Sequence, residues 1–107
     1  MKVIDLEGAA LDWAVTKCEG YDSEVTSPEW GLWRWATDWG QGGPIIERER
    51  IAIWGDNPYW EAEFSDSYGL TWAKGPTPLV AAMRCYVSSK VGEEIEVPDE
   101  LLQGEEA

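Results

Sequence analysis

Arg50-Ile51-Ala52-Ile53-Trp54-Gly55-Asp56-Asn57-Pro58-Tyr59-Trp60-Glu61-Ala62-Glu63-Phe64 is the stretch on which the fold turns. Residues 50–54 alternate as a strand does, with Ile51 and Ile53 pointing inward. Gly55-Asp56-Asn57-Pro58 carries turn chemistry. Gly tolerates unusual backbone angles, Asp and Asn bond their own backbone, and Pro presets φ. From Tyr59 to Phe64, Trp60, Ala62 and Phe64 face one way while Glu61 and Glu63 face the other. Two such runs around such a turn predict an antiparallel hairpin with one wet face. Ser65 to Gly69 is a second turn, and Leu70 to Ala73 a short third strand of the meander.

Outward from the hairpin, residues 77–91 read as a helix. Thr77 is the N-cap, Pro78 sits at the first helical position, and Gly92 lies just past the end. Leu79, Val80, Met83, Tyr86, Val87 and Val91 form an apolar stripe about a third of the circumference wide. Residues 6–19 read as an earlier helix, with Glu7 as N-cap and Gly20 closing it. Trp30 to Ala36 is dense in aromatics and partly alternating, which predicts a strand with Trp33 and Trp35 on one face. Thr37 to Pro44 holds three glycines and a proline and reads as irregular, with Pro44 opening one helical turn to Glu49. Glu94 to Val97 reads as a short extended segment. The expected fold is therefore α+β, in the order α-β-β-β-β-α, with two helices packed on one face of a small antiparallel sheet. Residues 1–98 form its single domain, and the acidic residues 99–107 form a tail that frays.

The chain has 107 residues, enough for one core and not two. Its net charge is -13, from 21 acidic against 8 basic side chains. That field repels phosphate backbones and anionic membrane surfaces, so direct nucleic-acid or membrane binding is not expected. It favours a basic protein partner, although the plainer reading is that acidity only keeps a Trp-rich chain soluble. No apolar signal segment follows Met1-Lys2-Val3-Ile4, and no run approaches the ~20 apolar residues of a membrane span. Cys18 and Cys85 fall inside predicted helices and read as reduced core thiols.

Catalysis lacks its parts. With no His there is no imidazole base, and Gly40-Gln41-Gly42-Gly43 lacks the Lys-Ser/Thr that completes a phosphate loop. No enzyme, metal or cofactor is therefore expected. Asp38, Glu47 and Glu49 are close in sequence, but no spacing fits a calcium loop.

The eight tryptophans point elsewhere: Trp13, Trp30, Trp33, Trp35, Trp39, Trp54, Trp60 and Trp72. So small a core cannot hide all of them, because each indole is large and its N–H needs a partner. The surplus should line a pocket for a planar, nucleotide-like ligand, or form a patch for a protein partner. Arg34, Arg48, Arg50 and Arg84 would contact anions in the first case; otherwise they neutralise neighbouring acids.

Two long motifs carry a resemblance. Thr37-Asp38-Trp39-Gly40-Gln41-Gly42-Gly43-Pro44-Ile45-Ile46-Glu47-Arg48-Glu49 and Gly75-Pro76-Thr77-Pro78-Leu79-Val80-Ala81-Ala82-Met83-Arg84-Cys85-Tyr86-Val87 resemble the central blocks of the NinX-like phage proteins. The segment Gly8 to Val15, closing at Glu19-Gly20, is similar to the family's opening, so the likeness spans roughly residues 3 to 98. It implies a phage origin and the host cytoplasm, and no established activity or catalytic residues.

If the two glycine-bearing loops meet at one sheet end, their amides and side chains converge there. Asp38, Trp39, Gln41, Gly42, Gly43, Arg48, Thr77 and Arg84 are then the expected binding residues, joined by Trp33 and Trp35. The expected role is a phage accessory protein that acts by binding, engaging or inhibiting a host component. Sequestration of a nucleotide-like ligand, mimicry of nucleic acid by rows of carboxylates, and a two-fold homodimer are the alternatives.

Overall fold

The computed structural model describes residues 1–21 and 33–101. The predicted meander is its sheet. Strand β1 (Ala52–Asp56) pairs antiparallel with β2 (Tyr59–Asp66), and β2 with β3 (Gly69–Gly75), in the order β1-β2-β3. The Asn57–Pro58 peptide between β1 and β2 is cis. Ile53 stands opposite Ala62, and Ala62 opposite Ala73. These three share the core face with Phe64 and Thr71. Trp54, Glu61 and Lys74 follow the alternate period and share the outer face.

Among the described residues the helices are, in sequence order, α1 (Gly8–Cys18), α2 (Trp39–Glu49) and α3 (Pro78–Val91), with a short 3₁₀ turn at Val3–Asp5. Thr77 caps α3 as expected: its hydroxyl accepts from the Val80 N–H at 3.1 Å, and Pro78 opens the helix. All residues from Leu79 to Val87 are buried, not only a stripe. α3 is the middle layer. It lies across all three strands and carries α1 and α2 against its far side. A helix enclosed on every side is apolar all round. This corrects the expectation of two helices side by side on the sheet. The core is Leu6, Leu11, Val15, Ile45, Met83 and Val87 with their neighbours.

Helix α1 ends in a left-handed cap at Gly20 (φ 82°), where Tyr21 N–H donates to Thr16 O and Gly20 N–H to Lys17 O. Glu7 holds the N-cap position without a side-chain bond to the helix.

Helix α2 is the main departure from expectation. The stretch read as irregular, with one turn after Pro44, is continuous helix from Trp39 to Glu49. Asp38 caps it, its carboxylate accepting from Gly40 N–H at 2.8 Å. Gly42 is present for contact, not for flexibility. A Cβ there would stand 2.3 Å from the Trp35 carbonyl oxygen and 2.6 Å from Leu79 Cδ1. Gly43 lets the helix run into Pro44, because it has no Cβ to clash with the proline ring. The helix closes on Arg50, which takes the left-handed conformation at φ 57°.

The expected fourth strand is not found where it can be seen. Trp30, Gly31 and Leu32 lie outside the described residues. Trp33 and Arg34 have no regular structure, and Trp35 to Thr37 form a turn. Side chains of α1 hold this segment instead of a neighbouring strand, one through its backbone and one through its indole. Asp12 accepts from Ala36 N–H at 3.0 Å, and Thr16 accepts from Trp35 Nε1 at 2.9 Å. Thr37 and Asp38 N–H both donate back to Arg34 O, which closes the turn.

The amino-terminal residues pair with the segment after α3, Lys2 opposite Glu94 and Val3 N–H donating to Glu93 O at 2.9 Å. Asp99 to Leu101 form a helical turn, with Leu101 packed against the core. The remainder of the tail lies outside the described residues.

Candidate binding face

Among the described residues no helix covers the outer face of the sheet; α3 packs on the opposite face, and α1 and α2 pack on α3. Four large apolar side chains stand on it: Trp54 (37 % exposed), Tyr59 (51 %), Leu70 (63 %) and Trp72 (46 %). Their arrangement is fixed. Glu61, on the central strand, accepts the indole N–H of Trp54 from β1 on one carboxylate oxygen and that of Trp72 from β3 on the other, both at 3.0 Å. The Lys74 ammonium lies 5.9 Å from the Tyr59 ring centroid and 5.7 Å from that of Trp72. Aromatic rings held rigid by bonds within the protein lose little freedom when a partner covers them.

The residues expected from the two loops are placed differently. Trp39 and Thr77 do meet, in a shallow hollow of about 220 Å³ completed by Ala36, Thr37, Leu79 and Val80. Trp39 is 54 % exposed there. The other expected residues hold the fold. Asp38 caps α2, Gly42 is wedged under Leu79, Gly43 is helical, and Gln41 accepts from Arg34 N–H. Trp35 is buried and stacks on Trp33 at 4.4 Å between centroids, with Tyr21 beside them.

Arg84 is buried and donates to two main-chain carbonyls, Leu6 O at 2.8 Å and Lys74 O at 2.9 Å. Arg48 donates to Glu19 through both terminal nitrogens, at 3.0 and 2.7 Å, and to Glu49 at 2.8 Å, and lies against the Tyr86 ring. Hydrogen bonding from Arg48 holds the carboxyls of Glu19 and Glu49 below the ordinary range, against a smaller opposing effect of burial. Tyr86 also donates to Glu19. The amides of the glycine-rich segment are equally engaged: Gly40 N–H bonds the Asp38 side chain, and Gln41 and Gly42 N–H its carbonyl. They form no anion nest.

Cys18 and Cys85 are free thiols. Burial, the largest cause for each, pushes Cys18 up to about 11 and Cys85 up to about 12, far from the range of a reactive thiolate. Among the described residues no group of three potential ligand side chains gathers to hold a metal ion. No helix among them is long and apolar enough to cross a membrane.

Sequence reasoning passed over Trp54, Glu61 and Trp72 as a unit. Half of the signal was present: if Ile53 points inward, Trp54 points outward beside Glu61. The face of Trp72 depended on the register of the third strand, which alternation alone does not set.

A comparison with curated proteins gives no match. A family model described as "Bacteriophage P22, NinX" matches residues 2–90, a span that takes in α1, α2, the whole sheet and nearly all of α3. The chain therefore belongs to the phage NinX family.

Proposed function

We propose that the chain is a phage accessory protein that acts by binding a host protein, in the host cytoplasm, through the outer face of its sheet and without catalysis. The observation that carries this is the Trp54–Glu61–Trp72 arrangement: two half-exposed indoles, on different strands, held in place by one carboxylate. Rigid aromatic anchors on an uncovered face are the usual centres of protein recognition. Family membership supports the phage setting.

The small-ligand alternative would use the hollow at Trp39 and Thr77, whose lining has no charged side chain to meet a phosphate. Mimicry of nucleic acid asks for carboxylates standing free in a row. On this face Glu61 is instead engaged by two indoles.

The test is cross-linking and capture from host lysate with the wild-type chain and with Trp54→Ala/Trp72→Ala. The proposal expects at least one protein retained by the wild type and lost by the variant, with both chains equally folded by circular dichroism. Identical capture by both chains, or none by either, would sink it.

A further inference from the structure

At its β3 side the outer face runs into a groove of about 540 Å³. One wall is Leu70, Thr71 and Trp72 on the edge of the sheet, and the opposite wall is the amino-terminal segment Lys2 to Ile4. Glu93 and Glu94 also line the groove. Its origin is visible in the hydrogen bonds. The amino-terminal segment runs beside β3 but pairs away from it, with Glu93 and Glu94. Further along, Arg84 bridges the gap, donating to Lys74 O on one side and Leu6 O on the other. Among the described residues Leu70 to Trp72 have no strand on their outer side. A free strand edge beside such a groove is a place where an extended segment can lie.

The lining says which kind of segment. Glu93 and Glu94 outnumber the single cation, Lys2, and Glu63 stands opposite Trp72 on the neighbouring strand. Trp72 already takes one ammonium near its ring, that of Lys74. The chain's net charge of -13 draws cationic segments and opposes acidic ones. A second copy of this chain would bring the same negative field to the contact and is disfavoured. The volume falls within the range of about 300–1,000 Å³ usual for ligand sites, enough for a few residues of extended chain.

We infer that this groove receives an extended segment of the host protein carrying lysine or arginine. The segment lies along the edge of β3, with its cationic side chain between the Trp72 ring and the carboxylates of Glu93 and Glu94. The inference rests on the binding-face reading, because Trp72 belongs to both surfaces.

The test begins with selection of a displayed random dodecapeptide library on the full chain. The enriched peptides are then titrated into ¹⁵N-labelled protein, beside counterparts in which every Lys and Arg is Glu. Enriched peptides should carry Lys or Arg and shift the amides of Leu70, Thr71, Trp72, Glu93 and Glu94; the Glu counterparts should not bind. Glu93→Gln/Glu94→Gln should weaken the peptides about fivefold or more, with the melting temperature unchanged. An empty selection, binders without a basic residue, or shifts confined to the Trp39 hollow would each overturn the inference. If host capture needs Trp54 while the peptides miss the groove, only this inference fails. If capture ignores Trp54 while basic peptides still enter the groove, only the binding-face reading fails.

Discussion

Replacing Gly42 by alanine tests whether the glycines of α2 are packing residues. An added methyl would lie 2.3 Å from the Trp35 carbonyl oxygen and 2.6 Å from Leu79 Cδ1. Ordinary contacts of carbon with oxygen or carbon begin near ~3.3–3.5 Å, so about 1 Å of movement is needed on each side. The leucine tip can rotate, but the carbonyl belongs to a turn pinned by Asp12 and Thr16 and cannot yield so easily. Overpacking of this kind costs up to about 3 kcal/mol, while alanine returns about 1 kcal/mol of helix propensity. The net expectation is a loss of about 2 kcal/mol, a fall in melting temperature of roughly 10 °C for a domain of this size. Urea denaturation followed by circular dichroism measures it directly. If Gly42→Ala is neutral or stabilising, as alanine for glycine would be at an open helical position, then α2 does not pack against the Trp35 turn as described.

Three further outcomes are expected. Arg50→Gly should stabilise the protein by about 0.5–1 kcal/mol in the same assay, because Arg50 holds a left-handed conformation (φ 57°) that glycine adopts without strain. Asp12→Ala should cost about 1–3 kcal/mol by leaving the buried Ala36 N–H unpaired, whereas Asp12→Asn keeps an acceptor there and should cost much less. Glu19, whose folded carboxyl is depressed below the usual 4.5 mainly by the Arg48 hydrogen bonds, contributes stability that is present above that pH and lost as pH falls through the folded value. Glu19→Gln should therefore shrink the drop in urea midpoint between about pH 7 and about pH 3.5.

The parts of the fold legible in the sequence are those specified locally. Period-two alternation around Gly55 to Pro58 marks β1 and β2, and Thr77, Pro78 and Gly92 bracket α3 with caps whose chemistry needs no distant partner. Helix α2 was hidden because Gly40, Gly42, Gly43 and Pro44 argue against a helix on propensity. Their justification is three-dimensional: the cap from Asp38, the contact of Gly42 with Trp35 and Leu79, and the lack of a Cβ before Pro44. The Trp33–Ala36 segment failed as a strand for a similar reason, since its hydrogen-bond partners are side chains of a helix about twenty residues away. The surplus of indoles was readable from composition, and Trp39, Trp54, Trp60 and Trp72 do stand exposed. Which of them act together was not readable, because Glu61 joins Trp54 to Trp72 only once the strand register is set.

Arg84 has a bearing on how the molecule comes apart. Its guanidinium, on α3, reaches Lys74 at the sheet edge and Leu6 just ahead of α1, so three elements share one cation. Detaching either β3 or the Leu6 segment leaves this buried charge with one of its two carbonyl acceptors, which is costly in a desolvated interior. Partly opened forms are penalised for that reason, and the unfolding transition should be all-or-none, with helical and tryptophan signals lost in step.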